Sequence, residues 1–134
     1  MSGAWTEGKF NSFIKSALRA ASQRWPPKFQ ALADAFVGKK VNRKTGRVGK
    51  HYKCNCCLQE FPSSEIQVDH ILPVIDPDKG FISWDEVIKR MFCGKEGFQI
   101  LCTTCHKDKT IVERRQATER RKHEKQQLQD SLPL

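Results

Sequence analysis

The stretch Val68-Asp69-His70-Ile71-Leu72-Pro73 decides how the rest of this 134-residue chain reads. Upstream of it lies Cys54-Asn55-Cys56-Cys57, and downstream lies Cys102-Thr103-Thr104-Cys105-His106. Each outer cysteine pair is a C-x2-C, the spacing at which two thiolates grip one zinc ion from a tight turn. Cys54, Cys57, Cys102 and Cys105 are therefore expected to hold one structural Zn²⁺. That clamp would pin together segments 44 residues apart. Between its halves Glu65-Ile66-Gln67-Val68-Asp69 alternates polar and apolar, which predicts a short strand delivering His70 at its end.

Working outward, Phe98-Gln99-Ile100-Leu101 predicts a second strand. A last helix is expected to start near Thr103 or Thr104 and run to about Gln129, with His106 in its first turn. Prolines 73 and 77 and Gly80 make residues 71–80 a loop. Ser83-Trp84-Asp85-Glu86 is a capping box that opens a helix, with Val87, Ile88, Met91 and Phe92 apolar and Gly94 closing it. Toward the N-terminus, Phe10, Phe13, Ile14, Ala17, Leu18 and Ala21 repeat at helical spacing, and Trp25-Pro26-Pro27 ends that helix. A second short helix is expected over 28–37, with Phe29, Leu32, Ala33 and Phe36 inward. The expected fold class is α+β in four parts: a helical hairpin at 1–37, a basic arm at 38–51, a zinc-clamped module at 52–112 and a charged helical tail at 113–134.

Hydrophobic residues make up 38% of the chain, so the core should be small and a structural metal would compensate. The formal charge of +9 points to a polyanionic partner. Residues 1–52 hold eleven Lys/Arg against two acids, whereas 53–110 hold seven against nine. Six cations, Lys39, Lys40, Arg43, Lys44, Arg47 and Lys50, fall within 38–51 with no acid among them. That run reads either as a solvated linker or as a phosphate-binding arm. The opening residues are polar and no apolar run is long enough for a membrane span. The cysteines are accordingly expected as metal ligands in a reducing, cytoplasmic setting rather than as disulfides. Cys56 and Cys93 are left as small spare thiols, although Cys56 competes for the zinc, and His51 and His123 are expected to be solvated.

The order of knuckle, strand ending Asp-His, loop, strand, C-x2-C and helix carrying His106 resembles the HNH endonucleases, the ββα-metal nucleases, in their zinc-knuckle variant. The likeness covers roughly residues 52–112 and extends through Lys109-Thr110. More softly, Trp5, Phe13, Ser16, Leu18-Arg19 and Trp25-Pro26-Pro27 look like small HNH proteins encoded by bacteriophages. The resemblance implies a divalent-metal-dependent DNA endonuclease. His70 would be the general base, and Asp69 and His106 would hold one catalytic Mg²⁺ or Mn²⁺. An imidazole with an ordinary pKa near 6.5 suits that task at neutral pH. The family's middle Asn aligns with Gly97, so Gln99 or a backbone group would have to brace the loop in its place. A non-catalytic zinc module that binds nucleic acid is the alternative, and a protein-binding zinc adaptor is the third reading.

Overall fold

The computed structural model describes residues 5–132. In chain order it contains helices α1 (Glu7–Ser22) and α2 (Pro26–Asp34), strands β1 (Phe36–Val41), β2 (Val48–Lys53), β3 (Glu60–Pro62) and β4 (Ile66–His70), helix α3 (Trp84–Met91), strand β5 (Phe98–Cys102) and helix α4 (Thr103–Ser131). The class is α+β, as expected. Two antiparallel sheets carry it, one ordered β1-β2-β3 and the other a β4-β5 pair that runs directly into α4.

Local chemistry sets most of the boundaries. Thr6 caps α1 by accepting from Lys9 N at 3.2 Å. Pro26 and Pro27 open α2, where a missing N–H costs nothing. The Ser83 hydroxyl accepts from Glu86 N at 3.2 Å and starts α3. Cys102 is both the last residue of β5 and the N-cap of α4, its sulfur accepting from Cys105 N at 3.4 Å. One side chain thus ends the strand, caps the helix and lies in the four-sulfur cluster.

In three places the secondary-structure elements and their packing differ from the sequence expectation. First, 38–51 is neither linker nor open loop; it is most of a β-hairpin. Lys39 pairs with Lys50 and Lys40 with Gly49 across β1 and β2, and β3 adds a third strand. Such a run lacks the apolar surface to fold alone. It folds here because the ladder extends from Phe36 and Val37 to Tyr52, which is buried, and pairs Tyr52 with Phe61. Asn42 closes the turn through Asn42 N to Arg47 O (2.8 Å), and Gly46 supplies the left-handed residue (φ 72°) that the turn requires. Second, α2 ends at Asp34, because Phe36 and Val37 are taken by β1. Third, the apolar faces of the first two helices are largely uncovered. Phe13 is 62% and Phe29 54% exposed, and Phe10 is also exposed. The two helices pack mainly on separate elements, α1 on α3 and α2 on β4 and β5, rather than on each other as a hairpin.

The core is correspondingly small. One cluster joins Cys54, Leu101 and Cys102 with Phe61 and Cys105 against it. A second joins Val74, Val87 and Met91, with Leu18, Trp84 and Phe92 at its edge. Fully burying an aliphatic side chain contributes about 1.5–3 kcal/mol, so two such clusters leave little margin. Helix α4 has no buried residue and, at 29 residues, is about 43 Å long. It is tied down midway, where Arg120 donates to Pro77 O at 3.3 Å and covers Gly80. Among the described residues no helix is long and apolar enough to cross a membrane.

Candidate functional site

The four expected cysteines converge. The sulfurs of Cys54, Cys57, Cys102 and Cys105 all lie within 4.8 Å of one another, with Cys57 and Cys102 at 4.0 Å. Ligands about 2.3 Å from a tetrahedral zinc stand about 3.8 Å apart, so the cluster fits a metal ion of that kind. Its ionisation fits too. Burial opposes the Cys54 thiolate, but backbone N–H groups of Cys102, Cys57 and Cys56 outweigh burial and bring its pKa down to about 6. Cys105 is pushed up, first by its contact with the Cys102 sulfur and then by burial. The Cys54 thiolate forms readily while Cys57 and Cys105 resist, which is the charge problem a doubly positive ion solves. Cys56, which is exposed, and Cys93, which is half-buried, are not among the four. Asn55 locks the knuckle to β5: its N–H donates to Ile100 O (2.7 Å), and its Oδ1 accepts from Ile100 N (2.6 Å).

The clamp brings the end of β4 against the start of α4. Successive strand residues project to opposite faces, so Asp69 turns toward α4 while His70 turns toward the C-terminal end of α3. Asp69 Oδ1 stands 3.7 Å from His106 Nε2. Its other oxygen, Oδ2, accepts from Gln99 Nε2 (3.0 Å) and from the Lys109 ammonium (3.0 Å). Lys109 also donates to the His70 carbonyl at 3.0 Å and pairs with Glu113 one turn along α4. Burial works against its charge, but Glu113 and Asp69 outweigh burial and raise its pKa. The outcome is a carboxylate with one oxygen fixed by two donors and the other left facing an imidazole. Two ligands about 2.1 Å from a small cation lie about 3 Å apart at right angles and about 4 Å apart when opposed. The observed 3.7 Å is within that range; the carboxylate is a hard donor suited to Mn²⁺ or Mg²⁺, and the imidazole is a softer one suited to later first-row metals.

His70 Nε2 meets Met91 O at 2.9 Å. A carbonyl only accepts, so Nε2 carries the hydrogen and Nδ1 of the neutral ring holds the lone pair. The ring packs on Phe98, with centroids 4.8 Å apart. Burial lowers the His70 pKa most, helped by the positive charges of Lys28 and Arg19; Met91 O and Asp69 oppose the shift but do not overcome it. The imidazole is thus held in its neutral, basic form.

Gly97 has a structural reason. A Cβ there would lie 2.4 Å from Cys93 Sγ, so this position has no room for a side chain. The loop after His70 is tied instead by Ile71 N donating to Gly97 O at 2.9 Å, and Asp69 by Gln99. Of the two braces expected for the loop, the backbone contact ties it, whereas Gln99 bonds the Asp69 side chain on β4. His123 is exposed, as expected, but His51 is buried at 7% exposure and bonds Gly49 O through Nδ1 at 3.0 Å. It is shielded because it lies in the middle strand of the three-stranded sheet. Of the six arm cations, Lys40 pairs with Glu60 and Lys44 with Glu65; among the described residues Lys39, Arg43, Arg47 and Lys50 form no ion pair. Sequence reading singles out Lys109 only as part of a motif and gives Glu113 no role. Their spacing from His106, three and then four residues along one helix face, is the available signal.

No family model, curated protein or solved structure matches the chain.

Proposed function

We propose that the protein is an HNH-type, divalent-metal-dependent endonuclease that hydrolyses DNA phosphodiester bonds. The observation that carries this reading is the facing of Asp69 Oδ1 and His106 Nε2 at 3.7 Å beside a neutral His70. His70 Nδ1 takes a proton from the attacking water. The water oxygen bonds to phosphorus as the P–O3′ bond breaks, and the 3′-oxygen leaves. Asp69 and His106 are the residues that would hold the catalytic cation, Mg²⁺ or Mn²⁺. When bound, that ion supplies Lewis acidity toward the phosphate and the leaving oxygen. Gln99 and Lys109 are positioning residues that fix the Asp69 carboxylate. The four cysteines are the ligands of a structural Zn²⁺; four thiolates leave no open position for chemistry there. The basic face of the β1-β2 hairpin supplies sequence-independent contacts to DNA phosphates.

One observation favours a second reading. The Lys109 ammonium already partners Asp69 at 3.0 Å, so the carboxylate is satisfied without a metal. On that reading the chain is a zinc-clamped module that binds nucleic acid and does not cut it. Supercoiled plasmid incubated with the zinc-loaded protein, with and without Mn²⁺, separates the two. Nicking that requires Mn²⁺ supports the nuclease; salt-sensitive binding with no nicking at any metal concentration supports the binding module.

A further inference from the structure

The helices ahead of the zinc-clamped module lie outside the 52–112 span of the stronger resemblance, yet they bear directly on the residue that holds His70. Met91 O accepts from His70 Nε2. Leu18 of α1 packs against the cluster containing Met91. Trp25, at the junction of α1 and α2, donates from Nε1 to Cys93 O at 2.6 Å and meets Phe92 edge-on at 5.5 Å. The three residues 91, 92 and 93 therefore carry the α1-α2 elbow on one side and the His70 ring on the other. Helix α2 continues onto β4 and β5.

That elbow is cationic. Arg19 and Arg24 are exposed on it, and Lys28, in the first turn of α2, is half-buried. Among the described residues none of the three forms an ion pair. Holding the Lys28 ammonium unpaired and partly desolvated costs stability. A polyanion bound across the elbow would recover that cost.

We infer that the α1-α2 elbow is a phosphate-binding site in which Arg19 and Lys28 hold a DNA backbone phosphate neighbouring the one presented to His70. The inference rests on the nuclease reading for the place of that phosphate, and its ligand is duplex DNA backbone without regard to sequence. The elbow thereby sets where along the strand the scissile bond falls, while the β1-β2 hairpin contributes phosphate contacts of its own.

The test is the salt dependence of binding to a fluorescein-labelled duplex, by anisotropy with zinc-loaded protein and no added divalent cation. The variants are the full-length chain carrying Arg19→Gln and Lys28→Gln, and one carrying Lys122→Gln and Lys125→Gln on distal α4, with the same change in net charge. Each phosphate that is no longer neutralised lowers the magnitude of the log-affinity against log-salt slope by about 0.9. The elbow variant should therefore fall by about 0.9, for the one phosphate the two side chains share, and the distal variant far less. Equal falls in both would mean that net charge alone accounts for binding, and would overturn the inference. If Lys28→Gln lowers the melting temperature, Lys28→Met keeps the buried stem and must show the same slope change. A wild type that nicks plasmid while the elbow variant keeps the wild-type slope sinks the elbow site and leaves the nuclease reading standing. A wild type that never nicks, with the slope change confined to the elbow variant, does the reverse.

Discussion

Replacing Cys102 by serine separates the metal from every other role this residue has. Cys102 is 4% exposed, ends β5, caps α4 and lies in the four-sulfur cluster. Serine is close to cysteine in size and is a better N-cap, so the cap and most of the packing survive the change. Loss of the cap or of a small volume would in any case cost only about 1–2 kcal/mol. Structural zinc contributes about 10–16 kcal/mol of apparent free energy, while a domain's whole stability is about 5–15 kcal/mol. With only two small buried clusters to fall back on, Cys102→Ser should therefore be unfolded or aggregated in buffer at 25 °C. The assay is urea unfolding followed by far-UV circular dichroism, with zinc per chain measured on the same sample. Cys56→Ser is the control: exposed and outside the cluster, it should keep the wild-type midpoint and one zinc. A Cys102→Ser protein that lacks zinc yet unfolds at the wild-type midpoint would refute the structural role of the metal.

Four further outcomes follow from the same geometry. Lys109→Met removes an ammonium beside Asp69; Coulomb repulsion of a divalent ion at such short range is about 1–2 kcal/mol even in water. The Mn²⁺ concentration for half-maximal nicking should then fall about tenfold while the maximal rate also falls, because Asp69 is left with one positioning partner fewer; a raised Mn²⁺ requirement would contradict this. Gly97→Asn should destabilise by about 1–3 kcal/mol through overpacking on Cys93, with Cys93→Ala restoring part of the stability; a thermal melt reads both. Because His70 is held below its ordinary value near 6.5, its neutral form persists as pH falls past that point. The acid limb of the nicking rate should lie below about pH 6.5, and the stability tied to neutral His70, complete above about 6.5, should disappear as pH falls through its folded value. In the hairpin, alanine at Lys39, Arg43, Arg47 or Lys50 should lower the salt-slope magnitude by about 0.9 each, and alanine at Lys40 or Lys44 by half that or less, since Glu60 and Glu65 already neutralise them.

The parts readable from sequence were those in which one local rule acts alone. Paired cysteines, an alternating strand, a serine N-cap at Ser83 and a helix beginning after Cys102 each depend on neighbours within a few residues, and each is found where expected. The parts that were not readable depend on partners far along the chain. The basic run 38–51 folds only because Tyr52 and Phe61 complete its sheet, and His51 is buried by the same sheet. The apolar face of α1 follows helical spacing, yet the structure places only its Leu18 edge on a core cluster. Periodicity shows that a face is apolar without showing how much of it will be covered. Gly97 has no explanation until Cys93 is seen to fill the space beside it. Lys109 and Glu113 look like ordinary charges on a polar helix until the strand-end Asp69 is placed against them.

The most direct test of the central claim is the nicking rate of His70→Ala on supercoiled plasmid in Mn²⁺, measured beside wild type with zinc content and duplex affinity checked for both. A general base contributes about 10²–10⁴-fold, so the account predicts a fall of that size with zinc and DNA binding intact. A folded, zinc-loaded His70→Ala protein that nicks at the wild-type rate would contradict it.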